Sequence, residues 1–438
     1  MKRDLRCLST VPSSTHAPAL PPAFFAVAAP GLEPFTAQEL HNLGLVDSPS
    51  PVRSTLSEAE RSRRAEQETR KRPGGEAVGG IEFHGTLRDL YRANLHLRTA
   101  SRILVRLGEF YAAAFSELRK KASRLPWEQY LAPGQPVALR VTCHKSKLYH
   151  SDAVGERVAG AIADRLGQAS LFTTTRGDDE TVETPRRVVS TNAQLIVVRL
   201  MHDKCTLSMD SSGALLHQRG YRLATAKAPL RETLAAGMLF ASGWDKASPL
   251  LDPFCGSGTI AIEAALMARN IAPGRARRFS FMDWPNFDAA LWQSLLETAE
   301  TRDDSPRSEA ERDRASLPPI MASDRDAGAI EAAKANAAHA GVADCIEFSR
   351  RAVSAIEPPS SPGWVVTNPP YGVRVSGNKD LRNLYAQFGN VLRAKCPGWH
   401  VAMLSGSAQL QKSVGLKFDD GVPLVNGGLK VRLVRAMV

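Results

Sequence analysis

Residues 249–270 read PLLDPFCGSGTIAIEAALMARN, an apolar run that breaks into Asp252-Pro253-Phe254-Cys255-Gly256-Ser257-Gly258-Thr259 and resumes as a stretch rich in Ala and Ile. That order predicts a strand over 249–252 feeding through a tight turn into a helix over 259–269. The turn then lies at the carboxyl end of a strand, where open α/β sheets bind ligands. Its glycines let the backbone bend and let a ligand approach the main chain with no Cβ in the way. The run lacks the Gly-Lys-Ser/Thr of a phosphate loop and the third glycine of the dinucleotide fingerprint, which turns the reading away from nucleoside triphosphates and NAD.

Downstream, strands are predicted over 320–323, 346–348, 364–367 and 400–404, helices over 327–340 and 381–395, and a last strand pair within 416–434. Strands alternating with helices mark a parallel sheet wrapped by helices. The fold class is therefore α/β, with a Rossmann-like unit expected over 213–438 and its start marked near Ala228. A charged, core-poor run at 298–319 reads as a surface insertion or a helix extension.

Two further strand ends carry chemistry. The strand over 320–323 ends at Ser323-Asp324, where a carboxylate can accept hydrogen bonds from both hydroxyls of a ribose. Asp324 or Asp326 could equally cap the following helix, but the place just past the strand favours Asp324 for the ligand. The strand over 364–367 ends in Asn368-Pro369-Pro370-Tyr371-Gly372. Two prolines fix this loop outside helix or central strand. The Asn368 amide and the Pro369 carbonyl can accept hydrogen bonds from a planar exocyclic amine, and Tyr371 offers a face for a base.

Upstream the grammar is α+β. Strands are expected over 24–28, 81–84, 101–107, 136–142, 187–198 and 205–210, and helices over 34–43, 87–97, 115–125 and 152–166. Residues 1–22 read as a flexible extension, and 48–80, made of Pro, Ser, Glu and Arg, as a disordered insertion. Expected units are thus 23–110, 111–212 and 213–438. Arg119, Lys120, Lys121, Arg124, His144, Lys145 and Lys147 cluster in sequence, with Arg157 on the outer face of the next helix. Such charges are either solvated helix faces or an RNA surface.

The whole chain agrees with this picture. With 438 residues it has ample bulk for more than one core, and 56 Lys+Arg against 45 Asp+Glu give a net charge of +11, which suits a polyanionic partner. The six cysteines form no C-x-x-C pair, so neither a disulfide framework nor a metal site is expected, and a reducing cytoplasmic setting fits best. No apolar run approaches the ~20 residues needed to span a bilayer, so no membrane association is expected.

On the strength of the glycine loop and Asn368-Pro369-Pro370-Tyr371, the second half resembles the class I methyltransferases that use S-adenosylmethionine and methylate amino groups. Gln218-Arg219-Gly220-Tyr221-Arg222, Ala228-Pro229-Leu230-Arg231-Glu232-Thr233 and Ile262-Glu263-Ala264-Ala265 narrow the likeness to guanine-N2 RNA methyltransferases with an N-terminal THUMP domain. Within them it is similar to the RlmL type acting on large-subunit (23S) ribosomal RNA. Gly80-Ile81-Glu82-Phe83, Tyr91-Arg92-Ala93-Asn94-Leu95, Arg98-Thr99-Ala100-Ser101-Arg102 and Lys147-Leu148-Tyr149-His150 resemble its ferredoxin-like and THUMP portions.

The resemblance implies S-adenosylmethionine held by Asp252, Phe254, Cys255, Gly256, Gly258, Thr259, Asp324 and Asn368, catalysis at Asn368, Pro369, Pro370 and Tyr371, and RNA docking at Lys120, Lys121, Arg124, Lys145, Lys147 and Arg157. It implies one methyltransferase unit, where many relatives continue into a second, and a ribosomal RNA partner that could sit within an assembling large subunit. The chain departs from the family pattern at Arg350-Arg351-Ala352-Val353, where relatives usually carry an adenine-binding acid. Rival readings are tRNA guanine-N2 methylation, methylation of adenine in DNA or of protein glutamine, and a non-catalytic RNA-binding assembly factor.

Overall fold

The computed structural model describes residues 22–47, 79–169, 171–176, 193–223, 230–301, 318–359, 362–371 and 380–438. Residues 1–21 of the expected extension, all but the end of the 48–80 insertion, most of 298–319, residues 187–192, Ala228, Pro229 and Gly372 lie outside them.

Strict alternation of buried and half-buried positions along β1 (Ala23–Ala28) gives a strand with one face covered. It pairs antiparallel with β2 (Gly80–His84) and with β3 (Ala100–Tyr111). The twelve-residue β3 is long enough to pair also with β7 (Lys204–Asp210), so one seven-stranded sheet runs β2-β1-β3-β7-β6-β4-β5. Here β4 (Val137–His144) runs parallel to both β5 (Phe172–Arg176) and β6 (Gln194–Met201). His202 and Asp203, both at positive φ, make the tight β6–β7 turn. Helices α1 (Glu33–Asn42), α2 (Leu87–His96), α3 (Phe115–Ala122) and α4 (Ser151–Leu166) accompany this sheet.

The second sheet runs β10-β9-β8-β11-β12-β14-β13. Its parallel strands are β8 (Leu250–Asp252), β9 (Ile320–Asp324), β10 (Ile346–Arg350), β11 (Trp364–Thr367) and β12 (His400–Ser405), and the hairpin β13 (Val422–Asn426) and β14 (Leu429–Met437) adds antiparallel to β12. From β8 the chain moves outward to β9 and β10, then returns to the other side for β11. The crevice between β8 and β11 is therefore the switch point where such sheets bind ligands. Around it lie α5 (Glu232–Ser242), α6 (Thr259–Ala268), α8 (Ala327–Ala340), α9 (Asp380–Lys395) and α10 (Ala408–Val414), while α7 (Ala289–Thr301) lies elsewhere.

Four of these elements do not follow from the sequence pattern. Strand β5 is polar, and α5 is buried nearly all round, so neither shows a readable period. Helix α7 occupies the start of the expected polar insertion, and α10 precedes the last hairpin, whose strands begin only at Val422. The expected helix over 115–125 stops at Ala122, whose carbonyl accepts the Trp127 indole N–H at 2.8 Å.

The two sheets exchange segments. Ala272, Phe279, Phe281, Trp284, Trp292 and Leu295 pack in the core of the first sheet, with Tyr91 stacked on Phe281 at 4.4 Å. Ala28 and Leu32 pack in the core of the second. Between them Arg98 donates to the Ile271 carbonyl at 2.6 Å and faces the fully buried Glu263 of α6 at 4.0 Å. Glu263 also accepts the Tyr221 hydroxyl at 3.1 Å and pairs with Arg219 at 3.5 Å.

Candidate functional site

Asp252 ends β8 and is almost fully buried. Its Oδ1 accepts from Thr367 Oγ1 at 2.7 Å and from the Phe254 N–H at 3.2 Å, which ties the glycine turn to the end of β11. Burial pushes its carboxyl up to about 7; Thr367 and the Phe254 N–H oppose this, and the nearby Asp324 adds to it. Oδ2 is buried with no partner.

The turn has the geometry that glycine alone takes easily, with φ +51° at Gly256 and +82° at Gly258. A Cβ on Gly258 would sit 3.0 Å from Ala333 of α8, whereas one on Gly256 would meet no atom within 4 Å. The turn is therefore packed behind and open in front. Cys255 is buried, and burial together with Asp252 and Asp324 pushes its thiol far up, so it stays a neutral thiol that packs the turn. Phe254, half-buried, meets Phe388 edge to face at 5.4 Å.

Asp324 and Asp326 divide the two roles that the sequence leaves open. Asp326 caps α8, accepting from the Gly328 N–H at 3.0 Å. Asp324 accepts from the Gly256 N–H at 3.1 Å and from the Asp326 N–H at 3.0 Å, so its carboxylate holds the glycine turn from the side. Behind it Ser323 Oγ is buried without a partner.

The loop after β11 is described as far as Tyr371 and is tied to its neighbours at several points. Asn368 is half-buried, and its Oδ1 is fully buried with no hydrogen-bond partner among the described residues. Pro369 is buried, and the Pro370 carbonyl accepts the Tyr385 hydroxyl from α9 at 3.2 Å. Tyr371 is held at two points. Its hydroxyl accepts from Asn426 Nδ2 of β13 at 2.7 Å, and its ring lies so near Gly406 that a Cβ there would come within 2.5 Å.

Several residues complete the site without having been readable. Arg222 donates to Glu232 at 2.9 Å, to the Leu230 carbonyl at 2.9 Å and to Thr259 Oγ1 at 3.1 Å, bracing the start of α6. Asn336 of α8 donates to the Ser257 carbonyl at 3.2 Å and accepts from the Leu223 N–H at 2.9 Å. Thr367 and Ser323, each one residue before an expected site residue, were the available signal at the strand ends. Asn426 lies 55 residues from Tyr371 and left none.

Three buried polar atoms with no partner among the described residues, Asp252 Oδ2, Ser323 Oγ and Asn368 Oδ1, thus crown three adjacent strands beside an open glycine turn. Leaving such groups unmatched is costly, so the arrangement fits a polar ligand that matches them. Past β10 stand Arg351, paired with Glu357, and the exposed Ala352. Among the described residues no three His, Cys, Asp or Glu side chains converge as metal ligands, and no helix is long and apolar enough to cross a membrane.

The basic residues are spread over the first sheet. Lys120, Arg124, Lys145, Lys147 and Arg157 are exposed, with Arg157 lying 5.7 Å over the Phe115 ring. Lys121 is engaged by Glu117 at 2.5 Å and by the Tyr111 carbonyl at 2.7 Å.

Three family models match the chain. A ferredoxin-like domain of the RlmL type matches residues 75–104, a THUMP domain matches 112–210, and an RMKL-like methyltransferase domain matches 219–435. A Synechocystis sp. protein named as an RNA methyltransferase is 35% identical, covering 94% of this chain and 96% of its own length. Ribosomal RNA large subunit methyltransferases K/L of Methylococcus capsulatus and Syntrophotalea carbinolica are 35% and 34% identical over 94% of this chain. This chain spans about half of their length, 50% and 53%. Of solved structures, the methyltransferase SMU.472 complexed with SAH superposes with a TM-score of 0.76 at 29% identity, covering 95% of this chain and 98% of its own. A Listeria monocytogenes protein described as an N6-adenine-specific DNA methylase gives 0.73 at 31% identity, covering 94% and 95%.

Proposed function

Since the chain belongs to the THUMP-bearing, S-adenosylmethionine-dependent RNA methyltransferase family, we propose that it methylates the exocyclic N2 amine of a guanine in large-subunit (23S) ribosomal RNA, in the cytosol. The observation that carries this reading is the buried, unpartnered Asn368 Oδ1 at the end of β11.

S-adenosylmethionine, when bound, supplies a methyl group on a positively charged sulfur. Gly256, Gly258 and Thr259 line its place, Asp324 offers carboxylate oxygens to its ribose, and Asp252, Phe254 and Cys255 form the wall between the strand ends. The lone pair of a guanine N2 amine is delocalised into the ring, so the amine is a poor nucleophile. Asn368 Oδ1 and the Pro369 carbonyl accept its two N–H groups and draw them from the ring plane, which localises the lone pair for in-line attack. No strong base is needed before transfer, and the extra proton leaves to water afterwards. Orientation of this kind supplies on the order of 7–11 kcal/mol. A paired guanine must first leave its stack, at about a few kcal/mol, and the exposed part of the Tyr371 ring offers it a face. The Asn426 and Gly406 contacts keep that ring from turning away.

The test is transfer of labelled methyl groups from S-adenosylmethionine to purified, unmodified ribosomal RNA and to bulk tRNA in parallel, followed by nucleoside digestion and chromatography. N2-methylguanosine in large-subunit RNA is expected. Label confined to tRNA would keep the chemistry and change the substrate, and label in neither RNA would overturn the reading in favour of DNA, protein or a non-catalytic role.

A further inference from the structure

The exposed cations of the first sheet with no carboxylate partner among the described residues include Lys120 of α3, Arg124 just past it, Arg157 of α4 and the loop pair Lys145 and Lys147, and the loop from β4 to α4 is where such cations stand beside a largely exposed aromatic ring. Other cations around it are answered by carboxylates, Arg119 by Asp164, Lys121 by Glu117, Arg165 by Glu128 and Lys204 by Glu109. Lys145 and Lys147, both exposed, pair with no carboxylate among the described residues. Between these cations and α4 stand two aromatic rings, Tyr149 and His150, with centroids 4.1 Å apart. Tyr149 is 67% exposed.

The loop is held firmly despite its exposure. Ser146 Oγ donates to the His144 carbonyl and accepts from the Asp203 N–H, each at 3.0 Å. The Lys147 N–H donates to Asp203 Oδ1 at 2.6 Å, fastening the loop to the β6–β7 turn. Lys145 takes a positive φ of 46°, and Leu148 is buried in the core. With Leu148 anchored inward, its neighbour Tyr149 is presented to water on a fixed backbone.

An aromatic ring kept in water beside uncompensated cations matches the two faces of an unpaired nucleotide, a flat base and an anionic phosphate. A duplex offers the phosphates but keeps its base faces stacked inside. We propose that Tyr149, supported by His150 and flanked by Lys145 and Lys147, is a stacking platform for unpaired nucleotides of the RNA substrate, an inference that rests on the RNA reading above.

Fluorescence anisotropy of the full chain with a short unstructured RNA oligonucleotide, and with a blunt duplex of the same sequence, separates the contributions. Tyr149→Ala should weaken the single strand by roughly 5- to 100-fold and leave the duplex within about twofold. Tyr149→Phe, which keeps the ring, should bind as wild type. The dependence of log K on log salt should be unchanged in Tyr149→Ala and shallower by about 0.7 in Lys147→Ala, because stacking releases no counterions. Equal binding of the single strand by Tyr149→Ala and wild type, or equal losses on both RNAs, would overturn the proposal; the latter would point to a protein-like or structural role for the ring. Labelled guanosine with no dependence on Tyr149 would break this inference alone, and Tyr149-dependent binding without labelled guanosine would break the reaction alone.

Discussion

At the carboxyl ends of β8, β9 and β11 three polar atoms are buried and unpartnered, whereas at the loop between β4 and α4 the unpartnered groups are cations standing in water. The two proposed sites would meet their ligands under different physics. In the buried crevice the low dielectric makes each oriented dipole strong, so a single amide oxygen can decide a reaction. At the exposed rim each charge is screened, and affinity comes from the sum of many weak contacts.

The sharpest way to break this comparison is Asn368→Ala. We expect kcat to fall by about 10²–10³-fold in single-turnover transfer, with cofactor affinity by titration calorimetry little changed. Loss of both together would mean a misfolded loop. Asp324→Ala comes next, with cofactor affinity lower by roughly ten- to a hundredfold and RNA binding as in wild type, because its carboxylate holds the Gly256 N–H of the glycine turn.

Asp252 sharpens the contrast through pH. Its carboxyl is raised from 3.8 to about 7, so its contribution to stability is full below about pH 4 and is lost as the pH rises through 7. Asp252→Asn should flatten that part of the melting-temperature curve, while Glu39, Asp210 and Glu232, also raised chiefly by burial, keep a residual slope. The smallest effect belongs to Arg119→Ala. Its partner Asp164 is already in place on an exposed surface, so melting temperature and RNA affinity should both stay close to wild type. A large loss of RNA affinity there would erase the distinction between paired and unpaired cations.

How far the sequence could be read follows from the same contrast. The proposed site of the second sheet falls in short contiguous runs, 252–259 and 368–371, because a ligand at a switch point would meet the ends of adjacent strands. The fold class and the main strands were legible for that reason. The supports were not: Asn426 reaches Tyr371, and Asn336 reaches Ser257, only after the chain has folded. Helix α5 escaped because burial on nearly every side removes the polar face that gives a helix its period. Asp326 as the cap of α8 was one of two equal options in the sequence, and the geometry separates it from Asp324 by what each carboxylate accepts.

The exchange of segments between the sheets has a consequence for anyone wishing to divide the protein. Cutting between 212 and 213 would leave the first sheet without Phe279, Phe281 and Trp292, and the second without Leu32, whose side chain lies against Gly237 of α5. Each fragment would expose an apolar wound where the other had filled it. The two sheets are thus laced together like two gloves sharing a finger, and they should melt together.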